Sequence, residues 1–215
     1  MSLLVASLGV AGGVLLGRAI ARALRRGPTA DSPGAAAEDP KRETPRAEQA
    51  KTDIGAALAT FPCHLGDVIL ASSGDEAWLA GGLVFSERFP MAVLFIAPDA
   101  GGDRAVLARP RPDTSLLWLT PMNPTTLSVG REPPTSIEHE NERFERTRRV
   151  PYRVQRIGTG APDVGEEAIF AEYKATVGER LILVVGKEGT RGFRGRLLEE
   201  GTYDLLPGSA PDAKG

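Results

Sequence analysis

The chain has one cysteine, Cys63, and two histidines, His64 and His139, among its 215 residues. A single thiol excludes an intrachain disulfide and is compatible with a reducing compartment. A zinc site takes four nitrogen or sulfur ligands, or three and a water. Adjacent Cys63 and His64 with one distant histidine fit that poorly, so neither a metal nor another cofactor is expected. A Cys63–His139 nucleophile–base pair would rest on composition alone; the plainer reading is a partly buried cysteine beside a domain edge. The chain contains no Gly-x-Ser-x-Gly elbow, no Walker-type phosphate loop and no His-Glu-x-x-His stretch. It has no excess of one charge: 26 Lys and Arg face 28 Asp and Glu, a formal net charge of −2. That gives no global attraction to nucleic acid. Past Phe61 no stretch keeps a helical period over three turns.

What is present is turn chemistry and short apolar runs. Gly 25 and Pro 17 suit a chain with many turns. Val68–Ala71, Ala77–Ser86, Met91–Ala97, Arg104–Ala108 and Leu116–Leu119 read as five strands. Pro121, Pro124, Pro133 and Pro134 mark a junction. Thr135–Glu138, Arg143–Arg148, Tyr152–Ile157, Ala168–Val177, Arg180–Val185, Thr190–Leu197 and Tyr203–Leu206 read as a second set. The run Ala77–Ser86 is apolar or small on both faces, which predicts a central strand covered on both sides. Gly81-Gly82 within it predicts a bend or bulge. The two sets look loosely parallel, so the expected fold is mainly β. It comprises two related small barrel or sandwich units, 64–128 and 135–207, inside a β domain spanning 54–207, with a tail at 208–215. A short helix is expected over Asp53–Phe61, with Ile54, Leu58 and Phe61 on one face and Pro62 ending it.

The first residues differ in kind. Ser2–Gly17 has no charged side chain, and Arg18, Arg22, Arg25 and Arg26 follow at once. Sixteen helical residues span roughly 24 Å, and extending to Leu24 reaches the ~30 Å hydrocarbon core if the first arginines snorkel. Residues 1–26 therefore read as a single transmembrane helix. The arginines place the C-terminal side in the cytoplasm of a bacterial inner membrane. A cleaved leader ending near Ala19-Ile20-Ala21 and an interfacial amphipathic helix are the competing readings. Gly9, Gly13 and Gly17 stand four apart, the spacing of close helix packing, so self-association or a partner helix is one reading and a glycine-rich anchor the other. Residues 27–53, with prolines among Ala, Glu, Lys and Arg, read as a disordered linker.

Glu138–Arg156 is the most charged segment. Its simplest reading is a solvated hairpin with cross-strand ion pairs. The functional reading sets Arg148, Arg149 and Arg153 against anionic headgroups, with Lys187, Arg191, Arg194 and Arg196 as a second, weaker basic cluster. Gly158-Thr159-Gly160 reads as a β-turn loop, since a phosphate-binding version must open a helix and the following residues alternate as a strand.

Several pieces in order resemble a known family: Gly66-Asp67-Val68, Trp78-Leu79-Ala80-Gly81 leading to Val84-Phe85, Leu117-Trp118-Leu119, the arginine-rich run into Val150-Pro151, Gly158-Thr159-Gly160, Ala171-Glu172-Tyr173 and Leu205-Leu206-Pro207. Together, from about Gly66 to Pro207, they resemble the bacterial family catalogued as domain of unknown function 4178. The resemblance implies no established activity and no assigned catalytic residues, and places members near membrane-associated systems. The expectation is a membrane-tethered interaction module for a protein partner or the membrane surface, with no nucleic acid. The alternative is a small-ligand-binding protein or enzyme with a carboxylate-lined pocket between the two β units, using Glu172 or Glu179.

Overall fold

Every strand in the described part is antiparallel to its neighbours, and most alternate one side chain in and one out. The computed structural model describes residues 55–98, 102–127 and 129–208. Twelve strands lie among them: β1 (Val68–Ala71), β2 (Glu76–Trp78), β3 (Gly81–Ser86), β4 (Pro90–Ala97), β5 (Arg104–Ala108), β6 (Leu116–Met122), β7 (Ser136–His139), β8 (Glu142–Gly158), β9 (Glu167–Ala175), β10 (Arg180–Gly186), β11 (Gly189–Leu198) and β12 (Tyr203–Leu206). Among the described residues helix is confined to one turn at 55–58 and a 3-10 turn at Pro124–Thr126. The expected anchor at 1–26, Gly9, Gly13, Gly17, the linker at 27–53 and Ile54 lie outside the described residues. Among the described residues no helix is long and apolar enough to cross a membrane.

The mainly β expectation holds; the division into two units does not describe how the strands assemble. β3–β6 form one four-stranded meander and β8–β11 another, and the two close on each other into a single eight-stranded barrel. First strand meets first strand (β3–β8) and last meets last (β6–β11). The halves are thus two sides of one barrel sharing one lumen. β12, β1 and β2 form a separate three-stranded sheet, and β7 extends the β8 edge.

The β3–β8 seam explains the paired glycines. A Cβ on Gly81 would sit 2.0 Å from the Thr159 carbonyl oxygen, and one on Gly158, held at φ 62°, 2.4 Å from the Ala80 carbonyl oxygen. Only a residue without a side chain lets the two backbones meet there.

The lumen is packed. Phe85, Tyr152 and Phe170 meet in tilted ring contacts at 5.1–6.0 Å. Leu83, Leu94, Leu107, Leu117, Ile182, Val184 and Phe193 fill the space around them. Small barrels of this strand number are filled by their own side chains.

The outer wall made by β3–β6 is covered. Val84, Val93, Phe95, Val106, Leu116 and Trp118 face outward and are buried against Phe61, Cys63, Ile69, Ala77 and Leu79 beneath the small sheet. That is why β3 is buried on both faces, as its composition predicts. The expected strand Ala77–Ser86 is interrupted at Leu79-Ala80. The Leu79 N–H donates to the Asp67 carbonyl (2.9 Å), the Gly66 N–H donates to the Leu79 carbonyl (2.8 Å), and the chain passes from small sheet to barrel. The wall made by β8–β11 carries a smaller apolar cluster around Leu127, Ile137, Phe144, Tyr173, Leu181 and Leu183.

Candidate functional site

The site follows from a change of partner along β8. On the side away from β9, β8 pairs with β7 only over Glu142–Glu145 and with β3 only from Arg153 onward. Between them lies a stretch with no strand beside it, and Pro151, which has no N–H to donate, falls in it. Residues 129–134 fill part of this gap. Their carbonyls and carboxylate are tied down: Arg146 donates to the Pro133 carbonyl, the Tyr173 hydroxyl donates to the Pro134 carbonyl (2.8 Å), and Arg149 forks onto Glu132 at 2.6 and 2.8 Å. The hydrogen bond from Arg149 holds the Glu132 carboxyl below its usual range, with the charges of Arg149 and Arg146 adding to it.

Beside this fastened segment lies a cleft of about 1140 Å³ on the outer wall. Its floor follows from strand register. Pro151 stands opposite Ile169, Ile169 opposite Val185, and Val185 opposite Thr190, so one row crosses β8, β9, β10 and β11. Three strand spacings make that row roughly 14 Å long. A second row, Ser86–Arg153–Glu167, runs alongside. Leu127, Val129 and Arg131 form the facing wall, and Glu87 and Arg88 of the β3–β4 turn and Lys187 of the β10–β11 turn complete the lining.

Four cations, Arg88, Arg131, Arg153 and Lys187, therefore line a cleft that carries two carboxylates, Glu87 and Glu167. Among the described residues none of the four is in an ion pair, whereas Arg146 and Arg149 beside the cleft both meet Glu132. The cleft is net positive in a chain that is net negative. An apolar floor with unneutralised guanidinium and ammonium groups around it can hold a molecule with an apolar body and a compact anionic group.

The three arginines expected to act together do not share a surface. Arg149 and Arg153 face outward, but Arg148 belongs to the inward series of β8, where it donates to the Tyr152 hydroxyl (2.7 Å) and lies 6.0 Å from that ring. Arg149 is engaged by Glu132, and Arg153 alone of the three lines the cleft. The expected carboxylates are elsewhere. Glu172 faces the barrel interior at one end and pairs with Arg109 across the two halves at 2.6 Å, with side chains 13% and 21% exposed. Glu179 accepts from Arg194 at 2.6 Å; Arg194 also meets Glu140 and Glu142 and lies over the Phe144 ring, which ties the β7–β8 turn to the barrel.

Cys63 is buried, and burial, with the Asp67 carboxylate adding to it, pushes its thiol up to about 12. A thiol so disfavoured as thiolate is a poor nucleophile. Cys63 sits under the small sheet while His139 is on β7, so they form no pair. Buried Asp67 accepts from the His64 N–H (2.7 Å) and the Gly208 N–H (3.0 Å), joining the two ends of the domain. Among the described residues no group of three His, Cys, Asp or Glu side chains could hold a metal. Gly158-Thr159-Gly160 is the turn that crosses Gly81.

Sequence reasoning missed Arg88 and Arg131 as site residues and placed Lys187 only in a weaker basic cluster with Arg191, Arg194 and Arg196. The signal that existed was local: outward-facing Pro151 and Arg153 and outward-facing Glu167 and Ile169 on alternating strands. Comparison with family models, with curated proteins and with solved structures gives no match.

Proposed function

We propose that the chain is a membrane-tethered binding module of a bacterial inner membrane, whose cytoplasmic β domain holds an anionic ligand in the outer-wall cleft. The observation that carries this reading is the set of four cations lining one cleft without carboxylate partners, while the neighbouring Arg149 and Arg146 share Glu132. Building a wall and leaving its charge uncompensated costs self-repulsion, which an anion relieves on binding. The tether is supported by the uncharged run Ser2–Gly17 and the arginines behind it. Membership of the family of domain of unknown function 4178 is part of the same proposal, supported by the ordered motifs from Gly66 to Pro207.

Thermal unfolding of the full chain in detergent tests it, because a ligand that binds only the folded state raises the melting temperature. Organic phosphates and dicarboxylates are expected to raise it for the native chain and not for Arg131→Glu/Arg153→Glu. No rise with any anion, or equal rises in both proteins, overturns the reading. Fractionation of cells tests the tether: recovery in the soluble fraction contradicts it.

A second reading, contact with a protein partner, has its own observation. The outer face of the small sheet carries the row Leu206–Val68–Trp78, with Trp78 54% and Leu206 51% exposed. Co-purification from detergent separates the two: a stoichiometric partner lost in Trp78→Ser but retained in Arg131→Glu favours this face.

A further inference from the structure

Beside the cleft stands a side chain that the anion-binding reading does not use. Phe89, at the β3–β4 turn, is 74% exposed, the most exposed of the large hydrophobic side chains among the described residues. It follows directly on Arg88, which lines the cleft. The turn is a short, fixed one: the Glu87 N–H donates to the Phe89 carbonyl at 3.2 Å, and β3 pairs with β4 up to Ser86 and Pro90. The ring is thus held out from the wall at the rim of a basic cavity.

An isolated exposed phenylalanine is ordinary, and an isolated basic cleft is satisfied by any anion. Their adjacency is specific. Phenylalanine gains by leaving water for the headgroup–acyl boundary, and cations close behind it gain from anionic headgroups. The cleft's two-charge surplus matches a phosphate monoester, which carries about −1.5 to −2 at pH 7. The guanidinium fork fits phosphate oxygens. The apolar row Pro151–Ile169–Val185 offers contact to the glycerol and upper acyl carbons.

Resting on the anion-binding reading of the cleft, we propose that its ligand is the phosphate headgroup of an anionic phospholipid, phosphatidic acid being the simplest case. Phe89 enters the bilayer interface while Arg88, Arg131, Arg153 and Lys187 surround the phosphate. The β8–β11 wall then faces the membrane, and the small sheet is left for other contacts.

The experiment uses the full chain in lipid nanodiscs and reads amide hydrogen exchange at Arg88, Phe89, Val129 and Arg131. The N-terminal segment is present in every arm, and because its arginines also favour anionic lipid, the native chain is compared with Arg131→Glu/Arg153→Glu in the same discs, where that contribution cancels. In discs of phosphatidylcholine with phosphatidic acid, exchange at these amides is expected to slow on the order of tenfold relative to phosphatidylcholine alone. Arg131→Glu/Arg153→Glu is expected to abolish the slowing. Phe89→Ser is expected to reduce it while leaving the melting temperature unchanged, since the ring contributes little to the core. Equal exchange in the two lipid compositions overturns the proposal. A third arm adds sn-glycerol phosphate to the phosphatidylcholine discs. Slowing at Val129 and Arg131 there that equals the lipid effect, with Phe89→Ser without consequence, assigns the cleft to a soluble phosphate ester and overturns the lipid assignment while leaving the anion site standing.

Discussion

The two outer walls of the barrel are built alike and finished differently. The wall of β3–β6 presents Val84, Val93, Phe95, Val106 and Trp118, and a three-stranded sheet covers them completely. The wall of β8–β11 presents Leu181, Leu183, Ala171 and Tyr173 under a partial cover, then Pro151, Arg153, Glu167 and Ile169 where the cover stops. The lumen between them is common to both. The lesson is that a barrel of this kind needs only one side of its outer surface sealed. The other can be given up to a cleft at the cost of one short unpaired stretch of β8, where Pro151 has no N–H to leave unsatisfied and residues 129–134 lie alongside, because closure pairs most of the remaining backbone.

The sharpest break in that comparison is to attack what both walls share. Phe85→Ala removes the ring at the centre of the lumen cluster and is expected to cost about 3–5 kcal/mol, read by urea denaturation. Both walls should lose protection together. Persistence of one wall's amide protection would show two independently stable sides.

Next comes a matched pair. Leu116→Ala on the covered wall is expected to cost about 2–5 kcal/mol, because Leu116 is fully buried under the small sheet. Ile169→Ala on the cleft floor is expected to cost about 1 kcal/mol and to weaken the ligand-induced rise in melting temperature. Equal costs would mean the cleft floor is as buried as the sealed wall.

Alkali separates the two clusters more finely. Cys63 under the small sheet has its thiol raised from 9.0 to about 12, and Tyr173 on the other wall its hydroxyl from 10.0 to about 12, in both cases chiefly by burial. A raised acid keeps its proton in the folded state while the unfolded chain loses it, so stability falls as pH rises through the gap. The loss through Cys63 starts near pH 9 and that through Tyr173 near pH 10. In melting temperature against pH, Cys63→Ala is expected to delay the onset of the alkaline decline and Tyr173→Phe to leave the onset in place and flatten the later part. Identical profiles in both variants and the native chain would refute the assignment.

The smallest effect concerns the fastened segment. Glu132→Gln weakens its tie to Arg149, leaving the fold intact while exchange at Val129 and Arg131 speeds up. The Glu132 carboxyl is held below its usual range, so the native tie is present at neutral pH and is lost as pH falls through the lowered value. Acid should therefore reproduce the variant's exchange rates in the native chain.

Much of the strand pattern was legible. Val68–Ala71, Arg104–Ala108 and Tyr203–Leu206 form the strands their residues suggest, with the same bounds. Local alternation and turn residues suffice for such segments. Arg143–Arg148 and Tyr152–Ile157 joined into the single strand β8 because Pro151 sits in a stretch with no strand on one side, a circumstance a proline alone does not reveal. Closure was not legible. It depends on pairings such as Gly81 with Gly158 and Leu117 with Leu197, each separated by more than seventy positions. The cleft was legible only in Arg153 and, through a weaker basic cluster, in Lys187 of the same meander; Arg88 comes from the β3–β4 turn, which adjoins the cleft only after closure, and Arg131 from the irregular segment before β7. The grouping of Arg148 with Arg149 could have been refused from the sequence, because adjacent strand residues face opposite sides.

The central claim is that the unsealed wall is an anion-binding surface, and amide chemical-shift mapping of the full chain in detergent micelles tests it most directly. On titration with phenyl phosphate, saturable shifts confined to Ser86–Arg88, Val129–Arg131, Tyr152–Arg153, Glu167–Ile169 and Val185–Thr190, and absent in Arg131→Glu/Arg153→Glu, are predicted. Shifts that fail to saturate, or that fall on the Trp78 face of the small sheet, would contradict it.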